Sequence, residues 1–405
     1  MIYKTFKDLQ VSHLGMGCMR LPAMEGGYGA PIDEKKAREL IDHAYQSGVN
    51  YFDTSWFYHG GDSERFIGEA LKQYPRDTWY LASKIAGVMM RKVDGKYQLS
   101  GSNKDNRTFY DPKEIFEYQA ARCGVDYFDF FMLHNVAEGS YGVYTDESLG
   151  IIECLLKQKE AGHIRHLGFS SHGRADTIDK FLQHTKARYG DIFEFAMIQL
   201  NYMDWTLQKA KDKYDVLTRN GIPIMAMEPL RGGTLARLGE KPASLMKAAR
   251  PNDTLASWAF RFLQSLENVA VVLSGMSTME QLTENLSLFK NPAPITNAED
   301  AVLQEVLESL VDLTPCTDCK YCMDECPLNL DIPMLLTLYN ETGFERGWFL
   351  DVAIQNLKDT EKPNACIGCG KCSPLCPQNI DIPKTLAAFA ELLNTSYQRP
   401  MLPPA

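Results

Sequence analysis

Cysteine is the residue type whose spacing in this chain says most about chemistry. Eight of the eleven cysteines form two copies of the pattern C-x2-C-x2-C-x3-C-P. The first copy contains Cys316, Cys319, Cys322 and Cys326, and the second contains Cys366, Cys369, Cys372 and Cys376. This pattern is typical of proteins that carry two [4Fe–4S] clusters, because three closely spaced thiolates can hold three corners of one cubane.

The fourth cysteine of each motif precedes a proline and is expected to ligate the cluster of the other motif. The predicted ligand sets are Cys316, Cys319, Cys322 and Cys376 for one cluster, and Cys366, Cys369, Cys372 and Cys326 for the other. Zinc is the alternative for paired C-x2-C motifs, but four thiolates with a trailing proline in each motif favour iron–sulfur clusters. Disulfides are a further alternative, and nothing in the sequence is typical of a secreted chain.

The composition limits the class of protein and its partners. The 405 residues exceed the about 250 of a single (β/α)8 barrel, and 45% hydrophobic with 23% charged residues is typical of a globular protein. A net charge of −10 without a run rich in lysine or arginine argues against nucleic acid and membrane partners.

The compartment is also predictable from the residues. The N-terminal segment lacks an apolar signal region, no stretch reaches about 18 apolar residues, and the thiolate motifs are typical of a reducing environment. We therefore expect a cytoplasmic location. The remaining cysteines, Cys18, Cys123 and Cys154, are interpreted as small core residues, with Cys18 placed in the first predicted strand.

Residues 11–290 alternate short apolar runs with amphipathic segments. The predicted strands are 14–21, 50–55, 79–85, 128–135, 164–171, 193–201, 222–229 and 269–276. Helical patterns separate them, and the first of these would be capped by Asp33 and ended by Gly48. Eight strands that are each followed by a helix predict an α/β fold of the (β/α)8 TIM-barrel type. A doubly wound sheet is the alternative, and the lack of a G-x-G-x-x-G motif after the first strand counts against it.

The C-terminal part of the sequence repeats itself. The segments CTDCKYCMDECPLNLDIP and CIGCGKCSPLCPQNIDIP are each followed by a helix-compatible stretch. We predict a barrel over 1–297, a connecting helix over 298–313 and an α-helical dicluster ferredoxin-like domain over 314–405. Residues 312–405 contain 12 acidic and 7 basic side chains, which indicates either a solvated face or a docking surface for a basic external redox carrier.

Four side chains are predicted to meet at the carboxyl ends of consecutive strands. Asp53 ends the second strand, and Tyr58 follows it by five residues. Lys84 ends the third strand, and His134 ends the fourth. Barrels of this type perform their chemistry on this face, where residues 86–110 are predicted to form a long loop. Each of the four has an ordinary structural explanation by itself, but their joint position predicts a site.

This combination fits the reduction of a carbonyl by hydride. The developing alkoxide needs a proton donor, and a phenol with its ordinary pKa of about 10 is a reluctant acid. A lysine ammonium beside Tyr58 would stabilise the phenolate, and a carboxylate such as Asp53 would keep that lysine charged and oriented. His134 is placed to hydrogen-bond the carbonyl oxygen.

With these residues in place, the chain resembles the aldo/keto reductases. The resemblance covers residues 1–290 and rests on the segments NYFDTSWFYHGGDSERFIGEAL, LASK, FDFFMLH, HIRHLGFSSH, IQLNY and TENL. With residues 314–383 included, the chain is similar to aldo/keto reductases that carry a C-terminal 4Fe–4S dicluster domain. The resemblance implies that Tyr58 is the general acid and base and that Asp53 and Lys84 support it. It also implies that His134 orients a small carbonyl or alcohol substrate.

The same resemblance implies a bound nicotinamide cofactor. Its amide would be held at the ends of strands five and six by Ser170, Ser171 and Gln199. Its pyrophosphate would lie on the loop after strand seven, at Pro229, Leu230, Arg231, Gly232 and Gly233. Its adenosine end would lie after strand eight, at Gly275, Met276, Ser277, Gln281, Glu284 and Asn285.

Two departures from the family pattern concern the nicotinamide itself. Met227 stands where many relatives stack an aromatic ring on the nicotinamide. The first strand carries Gly17, Cys18, Met19 and Arg20 in place of a Gly-Thr pair. A thiol and a guanidinium are therefore expected near the nicotinamide.

A third departure concerns the choice between NAD(H) and NADP(H). Gly275 and Gln281 stand where many NADP(H)-preferring relatives carry a lysine and an arginine for the 2′-phosphate. Because a phosphate without such partners forfeits charge-assisted hydrogen bonds, the sequence predicts that NAD(H) is favoured. Arg231 is the cation that would compensate if NADP(H) were bound instead.

The clusters leave three interpretations open, because hydride transfer from nicotinamide needs no iron. In the first, an NAD(P)-dependent oxidoreductase exchanges electrons through its clusters, although nicotinamide moves electrons in pairs, each cluster moves one, and no flavin motif is evident. In the second, an ordinary carbonyl reductase uses the cluster domain as a structural lid. In the third, the barrel is a catalytically inactive nucleotide sensor in an electron-transfer subunit. The presence of all four residues of the tetrad, Asp53, Tyr58, Lys84 and His134, counts against this interpretation.

Overall fold

The chain is described here by a computed structural model. It describes residues 1–24, 31–87, 90–94, 96–99, 108–310, 314, 316, 321–342, 348–376 and 378–396. Two compact units are present, the first formed by Met1–Leu230 and Ala256–Ile295 and the second by Arg231–Leu255 and Thr296–Ala405. No helix among the described residues is long and apolar enough to cross a membrane.

Eight parallel strands close into a barrel in the first unit, which confirms the predicted (β/α)8 fold. In chain order, strands one to eight are Leu14–Gly17, Tyr51–Asp53, Tyr80–Ile85, Phe128–Leu133, Ile164–Ser171, Phe195–Gln199, Ile224–Met227 and Val269–Ser274. Strand eight pairs with strand one through Val272 and Leu14, and this pairing closes the barrel. The carboxyl ends of all eight strands therefore face the same rim.

Helices surround the strands at the predicted places. Those of the barrel are Glu34–Gln46, Ser63–Leu71, Pro112–Cys123, Tyr141–Thr145, Ile151–Glu160, Ala175–Tyr189, Tyr202–Leu207, Ala210–Arg219, Leu255–Gln264 and Met279–Lys290. The predicted cap is confirmed, because the Asp33 side chain accepts from the backbone N–H of Lys36. Gly48 follows the helix end with a φ of +94°, a conformation that favours glycine.

An antiparallel hairpin, Tyr3–Phe6 with Leu9–Ser12, precedes the barrel and was not predicted. Phe6 and Val11 project from it into a core cluster that contains Tyr51, Phe130 and Phe195 from the barrel strands. The hairpin strands have four residues each, so their alternating pattern is too short to stand out. Side chains thus fill the barrel interior, as is usual for this fold.

Two expectations around the barrel rim were wrong in part. The predicted strand 14–21 ends at Gly17, and Cys18–Arg20 form a short 3-10 turn, so Cys18 does not lie in a strand. The predicted loop 86–110 contains an antiparallel sheet of Met90–Val93, Lys96–Leu99 and Thr108–Phe109. Its buried Tyr97 donates to the carbonyl of Leu149, an anchor that local sequence does not reveal. The remainder of that prediction, at 88–89, 95 and 100–107, lies outside the described residues.

The second unit is helical in its described residues, as predicted for 314–405, and it also includes Arg231–Leu255, which the prediction assigned to the barrel. Its helices are Glu240–Ala249, Asn297–Leu310, Tyr321–Asp324, Ile332–Glu341, Trp348–Asn356 and Ile382–Ser396. Helix Asn297–Leu310 corresponds to the predicted connecting helix and packs against Glu240–Ala249. Residues 311–313 of that prediction lie outside the described part of the chain.

The sequence repeat of the second unit is also a backbone repeat. The N–H of Asn329 donates to the carbonyl of Cys326, and the N–H of Asn379 donates to that of Cys376, both at 3.0 Å. Both asparagines are left-handed, with φ of +50° and +53°. Each turn leads into a helix, Ile332–Glu341 or Ile382–Ser396, and the two helices share one apolar core.

Two helical glycines give a matched test of packing in the barrel. A Cβ on Gly68 would lie 2.0 Å from the carbonyl oxygen of Cys123, whereas a Cβ on Gly142 would meet nothing within 4 Å. We expect Gly68→Ala to lower the free energy of unfolding by about 1–3 kcal/mol or more through overpacking. Gly142→Ala should be neutral or raise it by up to about 1 kcal/mol through helix propensity. Urea unfolding followed by tryptophan fluorescence measures both, and equal effects would contradict this packing.

Candidate active site

A buried ion pair lies at the carboxyl ends of strands two and three. The ammonium of Lys84 donates to Asp53 Oδ1 at 2.7 Å, to Asp53 Oδ2 at 2.8 Å and to the carbonyl of Thr54 at 2.8 Å. Three acceptors match the three N–H groups of an ammonium. Lys84 is 1% exposed and Asp53 3% exposed, so the charged groups of this pair are fixed and shielded from water.

The register of the barrel brings these two side chains together. Asp53 lies opposite Gly17 on strand one and Ala82 on strand three, and Lys84 lies two residues beyond Ala82. Small neighbours on both sides leave room for a lysine side chain to cross from one strand to the next. The predicted strand-end positions therefore place Asp53 and Lys84 in direct contact.

Burial and the ion pair act in opposite directions on both groups. Burial raises the pKa of the Asp53 carboxyl, and the Lys84 ammonium opposes that change. Burial likewise lowers the pKa of Lys84, and Asp53 is the largest opposing influence. Each charge thus favours ionisation of the other, which is how a lysine and a carboxylate can coexist inside a protein.

Tyr58 lies directly against this pair. The Lys84 ammonium is 4.9 Å from the centroid of the Tyr58 ring. Tyr58 opens the 3-10 segment Tyr58–Gly61, in which His59, Gly60 and Gly61 have φ of +53°, +63° and +93°. This left-handed stretch turns the chain sharply after strand two and leaves the tyrosine over the barrel mouth.

His134 completes the group of four. Its ring centroid is 6.3 Å from that of Tyr58 in an edge-on arrangement, and the Phe57 ring stacks on it at 4.8 Å. Burial is the largest of the influences that lower the pKa of His134 well below its ordinary value, followed by Lys84 and His172. All four predicted residues are therefore brought together, and His134 is a neutral imidazole at physiological pH.

Ser55 is a member of this site that sequence reasoning missed. Its Oγ lies 3.0 Å from Nδ1 of His134, and the residue is fully buried. Only its position between Asp53 and Tyr58 at a strand end could have singled it out. The contact spans 79 residues of sequence, which no local pattern reports.

The candidate nicotinamide-amide residues are buried and already hydrogen-bonded to the protein. Ser170 Oγ accepts from the N–H of Asn135 at 2.8 Å, and Ser171 Oγ accepts from that of Gly173 at 3.0 Å. Gln199 Nε2 donates to the buried Asp204 carboxylate at 2.8 Å. Asp204 was not predicted, and the Gln199 side chain is also hydrogen-bonded to His172.

Residues at the ends of strands one and eight are in contact with one another. Ser277 Oγ donates to the carbonyl of Arg20 at 2.7 Å. A Cβ on Gly275 would lie 3.0 Å from Cβ of Arg20, so Gly275 gives room for the arginine stem. Cys18 is fully buried, and burial raises the pKa of its thiol, which makes it an unreactive core residue.

The candidate adenosine segment is organised around a helix N-terminus. Thr278 caps helix Met279–Lys290 in a capping box with Gln281, whose Oε1 accepts from the N–H of Ser277 at 2.8 Å. Asn285 donates to Ser274 at 3.1 Å, and Met276 is buried. Gln281 therefore has a structural role that the sequence comparison with NADP(H)-preferring relatives did not anticipate.

The candidate pyrophosphate residues divide between the two units. Pro229 and Leu230 end the first segment of the first unit, and Arg231 opens the second unit. Arg231, Gly232 and Gly233 have φ of +49°, +68° and +100°. Within the second unit, the guanidinium of Arg231 forms a buried ion pair with Glu341 at the end of helix Ile332–Glu341.

Seven of the eight motif cysteines lie in the described residues, and Cys319 lies outside them. One cavity of the second unit is lined by Cys326, Cys366, Cys369 and Cys372 together with Glu325 and mostly apolar residues. These four thiols are one of the two predicted ligand sets, with Cys326 contributed by the other motif. They line the cavity without converging on a point: in the described part of the chain, no group of three or more potential ligands could hold a single metal ion.

The first unit is a closed (β/α)8 barrel that carries Asp53, Tyr58, Lys84 and His134 together at its rim. Residues 13–307 match the model of the aldo/keto reductase family, and residues 315–380 match that of a 4Fe–4S dicluster domain. The chain therefore belongs to the aldo/keto reductase family and is an oxidoreductase with a C-terminal 4Fe–4S dicluster domain.

Individual relatives cover the barrel part of the chain. An NADH-specific methylglyoxal reductase of Escherichia coli strain K12 is 25% identical over 75% of this chain and 97% of its own. An uncharacterized oxidoreductase of Bacillus subtilis strain 168, YqkF, is 25% identical over 73% and 93%. The holo form of an aldo-keto reductase from Bacillus halodurans superposes with a TM-score of 0.58 and 26% identity over 76% of this chain and 96% of its own.

The ion pair between Lys84 and Asp53 can be tested with variants that remove one of its two charges or both. Asp53→Asn leaves the Lys84 ammonium buried without a counter-charge, so we expect the free energy of unfolding to fall by about 3–5 kcal/mol. The double variant Asp53→Asn with Lys84→Met removes both charges of the pair and should recover part of that loss. Tryptophan fluorescence during urea unfolding measures the cycle. A double variant that loses the sum of the separate Asp53→Asn and Lys84→Met effects would show that the two charges do not interact.

Proposed function

We propose that this protein interconverts a small carbonyl compound and its alcohol with NAD(H), in the barrel, with Tyr58 as the proton donor and acceptor. The supporting observation is the position of the Lys84 ammonium, held by three acceptors and 4.9 Å from the centroid of the Tyr58 ring. A fixed positive charge beside a phenol stabilises the phenolate that proton transfer leaves behind. The same charge therefore serves the reaction in both directions.

Each of the other residues has a distinct task in this proposal. Nicotinamide, when bound, supplies or accepts the hydride. Asp53 keeps Lys84 charged in a buried place, where an isolated ammonium would lose its proton. His134 is neutral and donates a hydrogen bond to the carbonyl oxygen, so it polarises the carbonyl without adding a charge. Phe57 stacks on the imidazole and limits its rotation.

Three observations support NAD(H) over NADP(H). Gly275 and Gln281 provide no cation, and Gln281 is already bound to the backbone N–H groups of Ser277 and Thr278. Arg231, the cation that would compensate, is paired with Glu341 in the second unit. The relative from Escherichia coli is named an NADH-specific methylglyoxal reductase, which agrees with this choice.

We further propose that the second unit holds two [4Fe–4S] clusters with crossed ligation. The four thiols around one cavity fit the donor set of such a cluster, and Cys316, Cys319, Cys322 and Cys376 form the other set. Such clusters supply one-electron transfer when bound. Cys369 is exposed and its neighbour Ile367 is 67% exposed, so this end of the unit is accessible to an external redox carrier.

Replacement of the phenol tests the proton donor. Tyr58→Phe keeps the ring contacts with Phe57 and His134 but removes the hydroxyl, so kcat should fall by about 10²–10⁴-fold. NADH and methylglyoxal are the first probes, followed by other small carbonyls. Tyr74→Phe is the matched control, because its hydroxyl contacts only outer groups such as Asp42. Near-normal turnover of Tyr58→Phe would show that another group transfers the proton.

Cofactor choice is tested by isothermal titration of NADH and NADPH. We expect wild type to bind NADH at least as tightly as NADPH. Gln281→Arg should move the preference toward NADPH. A charge-assisted hydrogen bond to the 2′-phosphate would contribute about 1.5–3 kcal/mol if it were buried, and we expect a smaller shift because the site is exposed. Gln281→Ala loses the same cap without adding a cation and is the control. Gly275→Lys is unsuitable, because its Cβ would press on Arg20. A clear wild-type preference for NADPH would contradict the proposal.

Crossed ligation is tested by iron content and by electron paramagnetic resonance of the reduced protein. Anaerobic preparations should contain about eight irons per chain if two [4Fe–4S] clusters are present. Cys326→Ser should lose the same cluster signal as Cys369→Ser, whereas Cys316→Ser should lose the other. Cys154→Ser, a buried barrel cysteine, should lose neither. If Cys326→Ser and Cys316→Ser lose the same signal, ligation is not crossed.

A further inference from the structure

The hydroxyl of Ser55 has one partner in the described part of the chain. Its Oγ lies 3.0 Å from Nδ1 of His134, and the residue is 0% exposed. A serine hydroxyl carries one hydrogen to donate and can also accept. Because no other acceptor is in reach among the described residues, that hydrogen can be satisfied only by Nδ1.

The direction of the hydrogen bond between Ser55 and His134 follows from the free-energy cost of the opposite direction. If Nδ1 carried the hydrogen and donated to Ser55, the buried hydroxyl hydrogen would have no acceptor. A buried donor without an acceptor is unfavourable and rare. The bond therefore runs from Ser55 Oγ–H to an unprotonated Nδ1.

The other nitrogen of His134 must then carry the ring hydrogen. Burial and the nearby Lys84 lower the pKa of His134, so the imidazole is neutral and holds one N–H. The ring is also held by Phe57, which stacks on it with an interplanar angle of 11°. The backbone beneath it is held by the Tyr144 hydroxyl, which donates to the His134 carbonyl. In the described part of the chain, Nε2 has no hydrogen-bond partner of its own.

We propose that Ser55 is a positioning residue that sets the tautomer of His134, with the hydrogen on Nε2, so that His134 donates to the oxygen of the substrate carbonyl. This inference rests on the function proposed for the same site. Ser55 itself does not touch the reacting atoms. It acts by removing the tautomer in which Nε2 would accept and would repel a carbonyl oxygen.

The tautomer can be measured without turnover. Full-length, cluster-loaded protein labelled with ¹⁵N in histidine is examined by nitrogen–proton correlation NMR, and the His134 signals are identified by their loss in His134→Gln. We expect an unprotonated Nδ1 that accepts a hydrogen bond and a protonated Nε2. A proton on Nδ1 in the wild type would overturn the proposal, whatever the activity.

Variants of Ser55 supply an independent readout. Ser55→Ala should move His134 toward a mixture of tautomers and lower kcat about 3–10-fold, the effect of one neutral hydrogen bond, with the KM for NADH unchanged. Ser55→Thr keeps the hydroxyl and should keep the wild-type tautomer. Ser12→Ala removes another buried serine hydroxyl, which contacts Leu14, and should leave the tautomer and kcat unchanged.

The outcomes separate this inference from the function on which it rests. A wild-type protonated Nε2 together with no turnover of methylglyoxal or any other carbonyl would refute the proposed function and leave the tautomer assignment standing. Normal turnover with wild-type tautomer in Ser55→Ala would overturn the inference and leave the function intact.

Discussion

The ion pair between Lys84 and Asp53 is the interaction on which the rest of the site depends. Two charges removed from water need close partners, and here the ammonium has three acceptors on the consecutive residues Asp53 and Thr54. The pair forms because strands two and three are paired in this register. A second buried carboxylate, Glu64, lies behind it and accepts from Ser83 and Gln119, and Gln119 also donates to the Lys84 carbonyl. The positive charge beside Tyr58 is therefore held by side chains of strands two and three and of the helices that follow them.

The loops that follow the strands place Tyr58 and His134 in defined orientations beside the Lys84 ammonium. The left-handed turn at His59–Gly61 sets Tyr58 over Lys84, and stacking by Phe57 holds the imidazole beside it. Backbone strain of this kind persists only where surrounding structure compensates for it. His59 provides one such compensation, because its Nε2 accepts from the N–H of Leu21. The turn is thereby tied to the end of strand one, beside Cys18–Arg20.

The barrel and the tetrad were predictable because their signals are local or repeated. Eight apolar runs with helical patterns between them suffice for the fold, and a strand-end position suffices for Asp53, Lys84 and His134. Contacts between distant segments were not predictable: the Ser55–His134 bond, the Arg231–Glu341 pair and the hairpin that fills the barrel floor. Gln281 is an example. From the sequence it was interpreted only as the lack of a cation for a 2′-phosphate, whereas in the structure its side chain completes the capping box of helix Met279–Lys290.

The central claim is that hydride moves directly between nicotinamide and a carbonyl carbon within the barrel. The most direct measurement uses NADH that carries deuterium at the transferred position, in anaerobic turnover of methylglyoxal or the first carbonyl that the protein reduces. The account predicts one deuterium on the carbinol carbon of the product and a slower hydride step than with unlabelled NADH. Product without that deuterium, formed while the clusters are reduced and reoxidised, would contradict it and would place the chemistry in the second unit.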